Sequence, residues 1–89
     1  MKLIFCPKCT DVVRLFKELR FCKCKESSGR YLVDSVDAEI YGKAVPLGFI
    51  NNSLAEALRN RPDDGMGKLF TAFVIPHECR TVKTCKQVT

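Results

Sequence analysis

Apolar positions along the chain fall in short bursts separated by charged or turn-forming residues. Leu3-Ile4-Phe5 reads as the end of a strand, and Pro7 breaks it. Residues 11–20 support two readings. Val12, Phe16 and Leu19 have helical spacing, while Val12-Val13-Arg14-Leu15-Phe16 is also an acceptable β-run with Lys17-Glu18 as a turn. Glu26-Ser27-Ser28-Gly29 reads as a turn or short linker. Arg30 to Val33 and Val36 to Tyr41 are strand-like, with Asp34-Ser35 between them as a turn. A loop is expected from Gly42 to Gly48 around Pro46, then a short extended piece at Phe49-Ile50. Asn51-Asn52-Ser53 offers N-cap side chains for a helix over about residues 53–61, with Leu54, Ala57 and Leu58 as its buried stripe. Pro62-Asp63-Asp64-Gly65 ends that helix. Leu69 to Ile75 is the strongest strand signal in the chain, stopped by Pro76. From Arg80 onward the chain is polar and expected to be loose.

Composition narrows the class. The 89 residues are 46% hydrophobic and 28% charged, which suits one small globular domain and argues against a wholly disordered chain. The longest apolar run is only a few residues, too short for a membrane helix. The N-terminus has no signal-peptide h-region, so a cytoplasmic location is expected. The net charge of +5 is uneven: residues 1–30 carry +5, residues 31–60 carry −2 and residues 61–89 carry +2. The basic surplus lies in the same third as four of the six cysteines. It offers a surface for nucleic acid or an acidic protein, and reads equally well as a solvated face beside an anionic metal site.

The cysteines carry the most specific chemistry. Cys6-x2-Cys9 is followed after twelve residues by Cys22-x-Cys24. In a reducing compartment such spacing points to metal ligands rather than structural disulfides. A tight turn aims two thiolates at one point, and its N–H groups offset their charge. Twelve intervening residues suit two short strands and a turn. The expected cofactor is one structural Zn²⁺ held by Cys6, Cys9, Cys22 and Cys24. Four thiolates fill its coordination, so no zinc catalysis and no catalytic residue are expected. The filled site carries −2, which lowers the net charge to about +3.

Cys6-Pro7-Lys8-Cys9 and Cys22-Lys23-Cys24 resemble the two knuckles of a zinc ribbon, over residues 3–25. With Gly29-Arg30-Tyr31, Pro46-Leu47-Gly48-Phe49 and Phe70 to Pro76, the whole chain is also similar to small zinc-ribbon proteins of bacteria and their phages, a likeness that brings no activity with it. The resemblance implies an α+β fold. An N-terminal zinc-ribbon β-hairpin over 1–29 would join a small mixed β-sheet with one short helix over 30–79, packed as one unit, with a polar tail over 80–89. Many ribbons place Gly after each cysteine pair. Here Thr10 and Lys25 stand at those positions, which favour positive φ, so backbone strain is expected.

The function expected is binding of a protein or nucleic-acid partner, with no small-molecule substrate and no membrane. Arg14, Lys17, Arg20, Lys23, Lys25 and Arg30 are candidate phosphate or partner contacts, and Phe16, Phe21 and Tyr31 candidate stacking rings. A phage-type antagonist of a host protein is one version that the resemblance suggests. The enzyme alternative is redox. Leu3-Ile4-Phe5 before Cys6-Pro7-Lys8-Cys9, with Val45-Pro46 and Phe49-Ile50-Asn51 downstream, is similar to a glutaredoxin start, which implies a thiol–disulfide oxidoreductase using Cys6 and Cys9. That likeness leaves Cys22 and Cys24 without a role. His77, Cys79 and Cys85 offer only three ligands for a second metal. His77 reads as a surface residue, Cys79 as a packed thiol and Cys85 as an exposed one. Asp34 and Asp37 are a candidate acid pair that a turn explains equally well.

Overall fold

The computed structural model describes residues 1–33 and 36–85. The chain forms β1 (Lys2–Phe5), β2 (Val12–Arg14), β3 (Arg20–Phe21), β4 (Ser27–Tyr31), β5 (Ala38–Gly42), β6 (Val45–Phe49), α1 (Asn51–Arg59), β7 (Ala72–Val74) and β8 (Val82–Cys85). These strands make two four-stranded sheets. One has the order β2-β1-β6-β7 and the other β3-β4-β5-β8. All pairs are antiparallel except β5 with β8, which is parallel.

This arrangement corrects the expected fold class. Among the described residues no self-contained zinc-ribbon hairpin precedes a separate mixed sheet. β1 and β2 pair with each other, and β1 also pairs with β6 in the register Ile4↔Pro46. β3 pairs with β4, which then pairs with β5 in the register Gly29↔Ile40. The first thirty residues are therefore divided between the two sheets. Leu15 sits where the chain crosses from one to the other. Its N–H donates to Lys2 O at 3.2 Å, and its side chain is 2% exposed. Gly29 makes room for it, since a Cβ there would stand 3.0 Å from Leu15 Cδ2. The ambiguous stretch over 11–20 resolves as strand, turn and strand. Alternation decides it, because Val13 and Leu15 are buried while Val12, Arg14 and Phe16 are exposed.

Three further expectations change. The loop expected around Pro46 is β6, an inner strand. Pro46 is tolerated there because its carbonyl accepts from Ile75, beyond the last residue of β7. Its missing N–H faces that same end of the ladder, and β1 loses no bond. The long strand expected over 69–75 shrinks to β7. Its partner β6 ends at Phe49, and the last rung is Ile50 N–H to Thr71 O at 3.0 Å. Residues 82–85, read as part of a loose tail, form β8 against β5, with Ala38↔Val82.

The helix starts at Asn51, two residues before the expected first residue, with Ile50 at the N-cap and no side-chain cap bond. The side chains expected to cap it serve elsewhere. Asn51 Oδ1 accepts from the terminal amine of Met1 at 2.9 Å, and Ser53 Oγ accepts from Thr71 N–H at 2.7 Å. Of the expected stripe only Ala57 is buried, and Leu58 is 62% exposed. The hydrophobic core lies instead between the sheets. It contains Ile4, Val13, Leu15, Ala38, Ile40, Ile75 and Val82, together with Cys6 and Cys22. Among the described residues no helix is long and apolar enough to cross a membrane.

Candidate metal centre

Two tight turns build the site. The first, Cys6 to Asp11, links β1 to β2, and the second, Cys22 to Ser27, leads from β3 into β4. The two turns close alike. Cys6 N–H donates to Asp11 O at 3.0 Å, and Cys22 N–H donates to Ser27 O at 2.9 Å. Within each, the first cysteine's carbonyl accepts a second bond, from Thr10 N–H at 2.7 Å or Lys25 N–H at 3.0 Å. Bending the chain this tightly requires a left-handed residue after each cysteine pair. Thr10 (φ 60) and Lys25 (φ 65) take that conformation without being glycine.

The turns face each other across the gap between the sheets. The Sγ atoms of Cys6, Cys9, Cys22 and Cys24 all lie within 4.8 Å of one another. Cys6 Sγ is 3.7 Å from Cys24 Sγ, and Cys22 Sγ is 3.5 Å from Cys24 Sγ. Cys6 and Cys22 are buried, Cys9 and Cys24 half-buried, and all are free thiols. Such a set can hold a metal ion. Thiolate donors select soft or borderline metals over magnesium or calcium.

Neighbouring groups prepare the sulfurs for negative charge. The Ser27 N–H donates to Cys22 Sγ at 3.3 Å. The Ser27 hydroxyl is fully buried and makes no hydrogen bond of ordinary geometry. It still exerts the largest influence on Cys6, favouring the thiolate, and with the Cys9 and Lys8 N–H groups it outweighs burial and lowers the thiol to about 6. Burial, with Cys6, pushes the Cys22 thiol up, but the Ser27 N–H and the Cys24 and Cys9 thiols bring it below its ordinary value. Cys24 moves the other way. The Glu26 N–H favours its thiolate, yet burial and the three other cysteines raise it to about 12. Four acids crowded together cannot all ionise unaided, and a bound cation removes that conflict. The orphaned Ser27 hydroxyl and the N–H donors fit a filled thiolate site.

Sequence reasoning missed the residues that join the turns. Asp11 Oδ2 accepts from Lys23 N–H at 2.9 Å, tying the first turn to the second. Lys8 Nζ and Glu26 form an ion pair at 3.3 Å across the same gap. Ser27 was read only as a turn residue. None of these four side chains belongs to the cysteine pattern, so spacing gave no signal for them.

The remaining candidates lie outside the four-cysteine group. Arg14, Lys17, Arg20, Lys23 and Lys25 are exposed and make no ion pair among the described residues. Arg30 is engaged, at 3.0 Å from Glu39. The guanidinium carbons of Arg14 and Arg20 lie 4.9 Å and 4.6 Å from the Phe16 ring centroid. Phe16 therefore stacks on arginine. Tyr31 is also occupied: its hydroxyl accepts from Lys2 N–H at 2.7 Å. Phe21 remains 45% exposed. His77 is exposed, while Cys79 and Cys85 are half-buried, and none joins the four-cysteine group. Cys79 Sγ lies 3.4 Å from Thr81 Oγ1, which lowers its thiol below the ordinary value. Asp34 lies outside the described residues. No protein-family model, curated protein or solved structure matches the chain.

Proposed function

We propose that the chain is a binding module clamped by one structural zinc ion. Cys6, Cys9, Cys22 and Cys24 would supply its four thiolates, and the basic edge strands that they anchor would bind the phosphate backbone of a nucleic acid. The observation that carries the reading is the convergence of four sulfurs from turns attached to different sheets. Sulfurs about 2.3 Å from a tetrahedral centre stand about 3.8 Å apart. The 3.5 Å and 3.7 Å separations are close to that edge. The likeness to zinc ribbons rests on the cysteine turns.

When bound, zinc supplies cross-linking and charge neutralisation. With four protein ligands it has no position for substrate or activated water. The chain's own residues do the rest. Buried N–H groups and Ser27 hold the sulfurs, and Asp11 fixes the second turn against the first. Both ends of the segment from Cys9 to Cys22 are then pinned, and Arg14, Lys17 and Arg20 are presented along it. Guanidinium groups over Phe16, and Lys2 Nζ 5.9 Å from the Tyr31 ring centroid, favour phosphate contact over base stacking. The redox alternative needs a helix after Cys9 to activate an accessible Cys6. β2 follows instead, and Cys6 is 0% exposed.

Two measurements test this. Protein purified without added metal should contain one zinc per chain, and absence of zinc would sink the clamp. Binding to mixed single-stranded DNA and RNA should weaken with salt. Replacing Arg14 or Arg20 by Ala should flatten the log–log slope by about 0.7 each, if each meets one phosphate. Arg30→Ala should change it less, because Glu39 already holds Arg30. A zinc-loaded protein that shows no salt-dependent binding would remove the nucleic-acid half of the reading and leave the clamp.

A further inference from the structure

Four strands end the two sheets: β2 and β7 on one, β3 and β8 on the other. Sheet edges present unpaired N–H and C=O groups, and charged side chains, Lys especially, are a common device for keeping other chains off them. β2 carries Arg14, β3 carries Arg20 and β8 carries Lys83, each exposed. β7 is Ala72-Phe73-Val74. It has no charge and no proline, and all three residues are exposed. Phe73 is 47% exposed and Val74 66%, with Leu69 and Phe70 nearby in the chain also exposed.

The backbone of β7 is half used. Thr71 O and Ile75 N–H bond to the β6 side, and Phe73 sits opposite Gly48 between them. In an antiparallel ladder the intervening residues point their backbone groups the other way. The N–H and C=O of Ala72 and Val74 therefore face outward from the sheet.

We infer that β7 is a self-association edge, and that a second copy of this chain pairs with it antiparallel. A two-fold axis at Phe73 sets Ala72 of one copy opposite Val74 of the other. The same strand then supplies matching donors and acceptors from both sides, as an isologous contact requires. Charge favours the same occupant. Residues 50–76 hold Arg59, Arg61 and Lys68 against Glu56, Asp63 and Asp64, a net charge of zero on a chain of +5. Two copies can meet here without repulsion, whereas the β2 edge would repel its own copy. Pairing through β7 builds one eight-stranded sheet with the two β2 edges at opposite ends, as far apart as the sheet allows.

Light scattering across a dilution series tests this on the zinc-loaded full chain. The expected mass falls from about 20 kDa at high concentration toward the 10.1 kDa monomer on dilution. Val74→Lys should hold the protein at the monomer mass with unchanged circular dichroism and zinc content, and Ala72→Lys serves if that variant does not fold. Amide exchange at Ala72 and Val74 should slow as the dimer forms. A monomer at every concentration overturns the proposal. So does a dimer that survives Val74→Lys, or one that leaves those two amides exchanging at monomer rates. Binding of an extended peptide to β7 by a monomer would replace the second copy with a foreign strand, and also overturns it.

Discussion

The two turns with their strands and the stretch over residues 50–76 are built on opposite terms. In the first region Cys6, Val13, Leu15, Cys22, Ser27, Ser28 and Gly29 are buried, and two of the four convergent cysteines belong to the core itself. In the second region only Ala57 and Ile75 are buried, while Leu58, Leu69, Phe70, Phe73 and Val74 are exposed. A domain this small buries a modest share of its unfolded surface, and cannot fill two cores. It concentrates burial around the four thiols that could hold a metal and leaves the other end thinly covered. The comparison teaches that buried core and exposed apolar surface can be separated along one small chain. One end packs around four convergent thiols, and the other leaves its apolar side chains exposed.

The largest effect should come from breaking the closed end. Structural zinc at such sites contributes about 10–16 kcal/mol, as much as or more than the whole stability of a typical domain. Cys22→Ser, or exhaustive chelation, is therefore expected to abolish the cooperative transition seen by circular dichroism. Cys22 joins both the cluster and the core, so the loss should spread through both sheets. A chelated protein with native hydrogen exchange over β1 to β5 would show that packing alone holds the turns, and would erase the contrast.

A smaller effect separates the regions by packing. Ile40 is 1% exposed on β5, facing Gly29 and Leu15. Ile40→Ala should cost about 2–5 kcal/mol, by lost transfer energy and the cavity left behind. Leu58, 62% exposed on α1, should change stability by no more than about 0.5 kcal/mol when replaced by Ala. Denaturant melts of the zinc-loaded variants measure both. Equal losses would mean that α1 is packed in solution as tightly as the strands are.

How much of this the sequence carried follows the same division. The convergence of four cysteines was legible because metal geometry constrains spacing, and Cys6-x2-Cys9 with Cys22-x-Cys24 has that spacing. The partition of those cysteines between two sheets was not. Periodicity identifies strands locally, but the pairings of β1 with β6 and β4 with β5 are long-range choices that leave no local mark. Pro46 concealed β6, because a proline argues against an inner strand unless its missing N–H falls past the end of the neighbouring ladder. Leu69 to Ile75 has the best strand pattern for its apolar residues. Its length was set by where β6 stops. Asn51 and Ser53 looked like helix caps and were recruited as tertiary acceptors.

The smallest effect concerns backbone strain, which also divides the molecule. In the open region the left-handed residues are Gly65 and Gly67, where a side chain would meet nothing within 4 Å. In the clamped region they are Thr10 and Lys25, and a left-handed conformation costs an ordinary residue roughly 1–2 kcal/mol. Glycine would remove that strain and add about 0.5–1 kcal/mol of unfolded-state entropy. Lys25→Gly is thus expected to raise stability by up to about 1 kcal/mol, a shift of roughly 4–8 °C for a domain of this size. Thr10→Gly should yield less, because Thr10 Oγ1 also donates to Cys9 O at 2.6 Å. Lys25→Ala is the control: it deletes the same charge and keeps the strain, so it should give no gain. Thermal melts with zinc bound decide the matter. If Ala and Gly shift the midpoint equally, the effect is one of charge beside the cysteine turns. If only Gly does, the clamp is holding a strained turn in place.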